Sequence, residues 1–269
     1  MTNNIVVAGM HRTGHHPIAV WLLHQQEGIH DFSIQTIAPW LFQIQNDQGV
    51  SILANNPLKR GPEEHPDKEK FDDIMQGMNP HRIILTHEQE KLSQVAFACA
   101  HSGSVWSEDN VVQNTHRWST IHKPRIVVVL RDFKNWLASC IKMAQRDNKE
   151  IKDIINEDKV EVYKDHFRYI NDTNAGIQYI LYNEWVESPK YRKEICSNLG
   201  LYYTDSAINQ LSPFGGGSSF DGMKHIKTAW EMTTTKRYKY MEDNPFYKTF
   251  LHQHNDALLL SDEVFGKYT

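Results

Sequence analysis

The stretch Ile5–His16, IVVAGMHRTGHH, decides the fold of this 269-residue chain. Its first part, Ile5–Ala8, is apolar and rich in β-branched residues and ends at Gly9, a pattern that predicts a short buried strand. Pro17 and the apolar run behind it predict a helix, because proline is tolerated in the first helical turn. The sequence therefore predicts a strand, a loop and a helix over residues 5–26.

The loop between this strand and helix has the composition of an anion site. Gly9 and Gly14 have the G-x4-G spacing of a Walker loop, and amides at a helix N-terminus attract negative groups. His15 and His16 replace the Lys and Ser/Thr of that loop, which disfavours a Mg²⁺-dependent NTPase. Arg12 offers a guanidinium fork for a phosphate or sulfonate oxygen. On this segment alone, a plain strand–helix turn stays open.

Further strands and helices alternate along the chain. Arg82–Leu85 and Arg125–Leu130 predict strands, and the second, RIVVVL, has the unbroken apolar character of a parallel strand covered on both faces. Phe133–Gln145 has helical spacing, whereas Val95–Ala100 fits a strand or a buried helix. The alternation predicts an α/β fold, a three-layer α/β/α arrangement with a central, mainly parallel sheet, like the P-loop nucleoside-triphosphate hydrolases.

The composition is that of an ordinary globular protein, with 40% hydrophobic and 23% charged residues. The formal net charge of −4 disfavours a nucleic-acid partner, because such proteins usually carry a basic excess. No apolar run approaches the about 18 residues of a membrane span. Three widely spaced cysteines predict a reducing, cytoplasmic location. We expect a single domain over residues 1–269, with a lid or acceptor-binding excursion around residues 39–80.

A second candidate anion site follows the RIVVVL strand. Arg131 comes directly after the strand, and Ser139 lies on the predicted helix. With the first loop, this arrangement resembles the sulfotransferase family, whose 3′-phosphate motif is a strand, an arginine and a serine at this spacing. The resemblance implies that Arg131 and Ser139 clamp the 3′-phosphate of 3′-phosphoadenosine 5′-phosphosulfate (PAPS), although Phe133 replaces the family's proline. A Walker B aspartate at Asp132, holding Mg²⁺, is the alternative.

The resemblance also implies a general base. The strand that ends in Thr-His is similar to a family segment that ends in Lys-Thr-His, so His87 is the implied base for the acceptor hydroxyl. Imidazole suits this task because its pKa lies near neutrality. Leu85 replaces the family's lysine, so Arg12 would have to stabilise more of the negative charge on the departing phosphate. Some sulfotransferases use glutamate, and the alternative bases here are Glu88, Glu90 and Glu108.

Two later segments are similar to cofactor-binding parts of the family. Tyr182 lies in a segment that resembles one near the adenine, although a core aromatic is an equal alternative. Gly217, Ser218 and Ser219 take the place of a loop whose family arginine is absent here; amides and hydroxyls can substitute as a nest, and a flexible linker is the alternative. The segment from Arg237 onward resembles C-terminal family helices and is expected to serve packing.

The resemblance as a whole implies a sulfotransferase that passes the sulfuryl group of PAPS to a hydroxyl or amine of a small-molecule or glycan acceptor. It releases adenosine 3′,5′-bisphosphate and needs no metal. The implied catalytic residues are His87 and Arg12, and the implied cofactor contacts are Arg12, Thr13, Gly14, His15, His16, Arg131, Ser139, Tyr182, Gly217, Ser218 and Ser219. A P-loop kinase-like phosphoryl transferase and a catalytically silent nucleotide-binding protein of the same fold stay open. The sequence carries no signal for the oligomeric state.

Overall fold

The computed structural model describes residues 4–26, 35–38, 41–46, 49–55, 82–89, 91–93, 95, 104–106, 112–114, 124–172, 175–209, 217–225 and 227–266. The strands are β1 Ile5–Gly9, β2 Gln35–Ala38, β3 Leu41–Asn46, β4 Gly49–Asn55, β5 Arg82–Glu88, β6 Ser104–Trp106, β7 Val112–Asn114, β8 Arg125–Leu130 and β9 Ile177–Leu181. The helices are α1 His15–Leu23, α2 Phe133–Arg146, α3 Ile151–Ile154, α4 Glu157–Asp165, α5 Tyr182–Glu187, α6 Pro189–Asn198, α7 Pro245–Gln253 and α8 Asn255–Phe265. Two 3₁₀ turns span Ala229–Glu231 and Arg237–Met241.

Strand β1 lies inside a seven-stranded sheet, in the order β2-β3-β4-β5-β1-β8-β9 among the described residues. Strands β4, β5, β1, β8 and β9 are parallel, and β2 and β3 extend the sheet in antiparallel fashion. Because β1 pairs with both β5 and β8, the carboxyl ends of these strands lie side by side at Gly9, Glu88 and Leu130. Open α/β sheets place their sites at this edge.

Two apolar clusters cover the two faces of the sheet. Alternate side chains of β1 enter different clusters, as strand geometry requires: Val6 packs in one with Trp136 of α2, and Val7 packs in the other with Trp21 of α1. Helices α2, α4, α7 and α8 cover the first face, and α1, α5 and α6 cover the second. Each large apolar side chain buried in this way contributes about 1.5–3 kcal/mol. The predicted three-layer α/β/α architecture is confirmed.

Part of the expected excursion around residues 39–80 belongs to the sheet. Strands β3 and β4 form an antiparallel pair, and β4 continues as a parallel neighbour of β5. Residues 56–81 lie outside the described residues, as does most of Val95–Ala100, for which the sequence left two alternatives. Among the helices that the structure describes, none has the length and apolar character needed to cross a membrane.

His24, just behind α1, gives the fold a dependence on pH. Its side chain is fully buried, with ring Nδ1 2.7 Å from the carbonyl oxygen of Val20. Burial lowers the pKa of His24 below its usual 6.5, and the carbonyl contact only partly opposes this. The neutral ring therefore stabilises the fold above pH 6.5. This stabilisation is lost as the pH falls below that value, because the unfolded chain then binds the proton more readily.

We expect His24→Gln to remove this dependence. In urea unfolding, the stability advantage of the wild type over the variant should shrink between about pH 7.5 and about pH 5.5. His252→Gln, which changes an exposed histidine, is the control and should leave the difference constant. An advantage over His24→Gln that stays equal at both pH values would contradict the assignment.

Candidate functional site

Carbonyl groups of the loop between β1 and α1 are held from outside the loop. The carbonyl oxygen of His11 accepts a 2.8 Å hydrogen bond from Nε1 of Trp136, and that of Arg12 accepts one of 3.0 Å from Nη1 of Arg131. The first amides of a helix have no acceptor within the helix, and no side chain caps α1 at Gly14. With these carbonyls engaged, the amides that begin α1 are the loop groups suited to face an anion.

Two loop residues have a left-handed backbone. Arg12 has φ of 69° and Gly14 has φ of 90°. A Cβ added to Gly14 would lie 2.2 Å from Cε2 of Tyr182, so only glycine allows this ring to pack on the loop. For a residue with a side chain, the left-handed conformation costs about 1–2 kcal/mol. The contact from Arg131 holds Arg12 in it, as expected where strain is kept at a functional loop.

Three arginines line one cavity at the carboxyl edge of the sheet. Arg12 comes from the loop, Arg131 from the end of β8 and Arg237 from a 3₁₀ turn. Among the described residues that line this cavity, Glu88 is the one carboxylate. The Nε atoms of Arg12 and Arg131 are buried and have no acceptor within the described part of the chain. Because buried donors without acceptors are costly, the cavity is suited to an anionic ligand.

Arg131 is held by four parts of the structure. Its Nη1 donates to the carbonyl of Arg12 and to Oγ of Ser139, both at 3.0 Å, and its Nη2 donates to the carbonyl of Thr234. Its Cζ lies 5.0 Å from the ring centroid of Tyr182. Ser139 is fully buried and is not among the described residues that line the cavity. Ser139 therefore orients the arginine from behind.

Arg237 is a site residue that the sequence did not indicate, because its segment resembles C-terminal helices that are expected to serve packing. Its Nη2 donates to Oγ of Ser218 at 2.7 Å and lies 3.5 Å from Oδ2 of Asp221. Burial, and then the charge of Arg131, lower the pKa of Arg237 to about 9. Guanidinium groups crowded together in this way repel one another, and a bound anion relieves the repulsion. Arg237 thus supplies a cation beside the loop that lacks the family's arginine.

Gly217 and Ser218 line the cavity, and Nη2 of Arg12 donates to the carbonyl of Gly217 at 3.4 Å. The Ser218 hydroxyl is already used: it accepts from the Phe220 and Asp221 amides and donates to the Asp221 carboxylate. These hydrogen bonds fix the conformation of the loop, so the Ser218 hydroxyl is not free to bind a ligand.

The other residues predicted for the site divide into three groups. Those that also line the cavity are Gly14, His15, His16 and Tyr182. Two others are buried and absent from the described lining: Thr13, whose hydroxyl donates to the carbonyl of Met10 at 2.8 Å, and Ser219. His87 is described by its backbone alone, opposite Ala8 of β1, and Glu90 and Glu108 lie outside the described residues.

Asp132, the alternative Mg²⁺ ligand, caps helix α2. Its Oδ1 accepts from the amide of Asn135 at 2.9 Å, and both oxygens accept from Nδ2 of Asn135 at 3.0 Å. Oδ2 also accepts from Nδ2 of Asn183 at 3.0 Å. These bonds satisfy the carboxylate, and Asp132 is not among the described residues that line the cavity. The Walker B alternative finds no support in this geometry.

Glu88, the last residue of β5, lies against the histidines that begin α1. Its Oε1 is 3.0 Å from Nε2 of His15 and 3.6 Å from Nε2 of His16. Burial alone would raise the pKa of Glu88, but His15, His16 and His11 outweigh it and hold this pKa well below its usual value. Burial in turn lowers the pKa of His11 to about 4. Such a carboxylate is a weak proton acceptor, which disfavours Glu88 as the base.

Much of the rest of the cavity lining is apolar and aromatic. Trp185 stacks on Tyr182 with ring centroids 5.9 Å apart and an angle of 30° between the rings. Trp230, also on the lining, is 70% exposed. Other apolar residues of the lining are Pro17, Val186, Ile208, Ala229 and Met232. Aromatic and apolar walls of this kind suit a planar base or an organic acceptor.

No protein-family model and no curated sequence matches this chain. Among solved structures, the sulfotransferase domain of the olefin synthase from Synechococcus PCC 7002 is similar, with a TM-score of 0.50, 10% sequence identity, and coverage of 97% of this chain and 94% of that domain. The chain has a sulfotransferase-like fold. Mouse sulfotransferase SULT7A1, solved in complex with PAP, aligns with a TM-score of 0.41 and 15% identity over 94% of this chain and 83% of that one. At such identities the sulfotransferase-like fold is the finding, and the chemistry has to be argued from the cavity.

Proposed function

We propose that this chain is a sulfotransferase that binds PAPS in the cavity and passes its sulfuryl group to a hydroxyl or amine of a small-molecule or glycan acceptor. The observation that carries the proposal is the convergence of Arg12, Arg131 and Arg237 with the amino end of α1 on one cavity. PAPS has two separate anionic ends, a 5′-phosphosulfate and a 3′-phosphate. The buried Nε atoms of Arg12 and Arg131, which have no acceptor among the described residues, fit such a ligand.

The positions of the arginines support a division of labour. Arg12 and the amides that begin α1 would hold the 5′-phosphosulfate, since they belong to one loop. Arg131 and Arg237 would hold the 3′-phosphate, with Ser139 positioning Arg131 through its 3.0 Å hydrogen bond. The stacked rings of Tyr182 and Trp185 would pack against the adenine. Ser139 thus takes a positioning role in place of the direct phosphate contact that the sequence implied.

PAPS supplies an activated sulfuryl group, whose bond to the 5′-phosphate oxygen breaks as the acceptor oxygen or nitrogen attacks the sulfur. Negative charge then grows on the phosphate, where Arg12 and the loop amides are already in place to stabilise it. Fixed donors of this kind are typically worth about 10²–10³ in rate. His87 is proposed to take the acceptor proton, as the resemblance implies, because imidazole exchanges protons near neutral pH.

Ligand-dependent thermal stability tests the proposal. At about 100 times its Kd, a ligand specific to the folded state adds about 2.7 kcal/mol, which corresponds to about 5–10 °C for a chain of this size. We expect adenosine 3′,5′-bisphosphate to give such a shift. Adenosine 5′-monophosphate, the control without a 3′-phosphate, should give a much smaller one. Stabilisation by ATP with Mg²⁺ alone would overturn the proposal in favour of a phosphoryl transferase.

A second measurement separates an enzyme from a silent binding protein of the same fold. If this chain is a sulfotransferase, it should transfer ³⁵S from labelled PAPS to at least one member of a panel of phenols, sugars and amines. Adenosine 3′,5′-bisphosphate binding without any transfer across that panel would favour the silent alternative.

A further inference from the structure

Three potential metal ligands lie together where the loop meets the end of β5. One ligand atom each from His15, His16 and Glu88 lies within 4.8 Å of the others. The two histidines begin helix α1, and Glu88 ends the neighbouring strand, so the ligands come from two regular elements. All three residues also line the cavity. Their side chains are 2%, 16% and 14% exposed, in that order, so the cluster is largely shielded from solvent.

The distances fit the coordination sphere of a small transition-metal ion. Zinc binds imidazole nitrogen and carboxylate oxygen at about 2.0–2.2 Å, in tetrahedral geometry. Ligand atoms around such an ion are therefore about 3.3 Å apart. Oε1 of Glu88 lies 3.0 Å and 3.6 Å from Nε2 of His15 and His16, on either side of that value. A small adjustment of side chains would bring all three atoms to bonding distance.

His15 places a buried imidazole directly against the carboxylate. It is 2% exposed, and its Nε2 lies 3.0 Å from Oε1 of Glu88, whereas its Nδ1 makes no hydrogen bond within the described part of the chain. A metal ion bound to Nε2 and Oε1 would take the place of the proton between these two atoms, and it would neutralise the charge of that carboxylate.

We propose that His15, His16 and Glu88 bind a divalent transition-metal ion of the zinc type, with a fourth coordination position open to the cavity. Two imidazoles and one carboxylate suit zinc, whereas Mg²⁺ and Ca²⁺ prefer oxygen ligands throughout. Three protein ligands with one open position are the arrangement in which zinc accepts an oxygen atom from water or from a bound molecule. The inference does not depend on the proposed sulfotransferase activity. It departs from the expectation, based on the sequence, that no metal is involved.

The test uses the metal alone, with no nucleotide. The full chain is freed of metal with a chelator and titrated with Zn²⁺ by calorimetry and with Co²⁺ by visible absorption. We expect one tight site with the intense absorption of tetrahedral Co²⁺. His16→Gln and Glu88→Gln should each weaken that site by more than the about 10–100-fold typical of residues that only support a ligand. Both positions are partly exposed, so both variants are expected to fold, which thermal unfolding without metal verifies.

A matched control comes from a second histidine–glutamate pair. Nδ1 of His225 lies 3.1 Å from Oε2 of Glu231, and among the described residues no third potential metal ligand lies beside this pair. His225→Gln should therefore leave the affinity unchanged. The proposal is overturned if the wild type has no tight site, or if His16→Gln and Glu88→Gln bind Zn²⁺ as the wild type does. If either variant unfolds, anomalous diffraction at the zinc edge on wild-type crystals decides whether the ion lies at Glu88.

Discussion

Gly14→Ala is expected to lower the free energy of unfolding by about 2–5 kcal/mol. Two costs add in this variant. The left-handed backbone, with φ of 90°, costs a residue with a side chain about 1–2 kcal/mol. The new Cβ would also lie 2.2 Å from the ring of Tyr182, and relieving such an overlap in a packed region costs about 1–3 kcal/mol. Urea unfolding monitored by circular dichroism measures the sum.

Gly176→Ala is the matched control, because it isolates the backbone cost. Gly176 also has a left-handed backbone, with φ of 66°, but a Cβ there meets nothing within 4 Å. It should lose only the about 1–2 kcal/mol of the backbone term. In a Tyr182→Ala background, Gly14→Ala should cost less than it does in the wild type, since the ring is then gone. Equal losses in Gly14→Ala and Gly176→Ala would show that the Tyr182 ring does not constrain the loop.

Arg131→Ala is expected to weaken binding of adenosine 3′,5′-bisphosphate by about 10²–10³-fold. A hydrogen bond to a charged group is worth about 1.5–3 kcal/mol, and an arginine offers two or more to a phosphate. The variant also removes the donor that holds the carbonyl of Arg12, so the loop itself should be less well ordered. Isothermal titration calorimetry gives the affinity, and chemical unfolding of the same samples gives the accompanying loss of stability.

Arg82→Ala separates affinity from stability. Like Arg131, Arg82 is buried, and its Nη1 donates to backbone carbonyls, those of Leu22 and Gln25. It begins β5, at the opposite edge of the sheet from the cavity. Arg82→Ala should therefore lose stability and keep its affinity. If both variants lose affinity equally, the effect of Arg131→Ala is general destabilisation, and the 3′-phosphate role of Arg131 is wrong.

The elements that follow local rules were predictable from the sequence. Helix α6, Pro189–Asn198, begins where local rules place a helix, because Ser188 caps it through a 3.1 Å bond from the Tyr191 amide and Pro189 suits the first turn. Strand β8 is predicted in full for a similar reason. Its apolar, β-branched residues show no helical or alternating pattern, and such a run suits a central parallel strand that is covered on both faces.

Other features depend on parts of the chain that meet only in the fold. Strands β3 and β4 were included in an excursion because their segment is polar, although Phe42 and Ile44 alternate with Gln43 and Gln45 as in a half-covered strand. Arg237 and Glu88 reach the cavity from segments that no fixed spacing connects to the loop at Arg12. The sequence therefore predicted one arginine of each candidate anion site, and the third is recognised only from the packing of the folded chain.

In the proposed complex, the position of Arg131 would also affect how the nucleotide leaves. Nη1 of this guanidinium donates both to the loop carbonyl of Arg12 and to Oγ of Ser139. Nη2 donates to the carbonyl of Thr234 in the C-terminal segment. In the proposed PAPS complex, a ligand that moves this guanidinium at one end would shift the loop at the other, so the two ends of the nucleotide would bind cooperatively. Release would then proceed stepwise, because the loss of the contacts to one phosphate would weaken the contacts to the other.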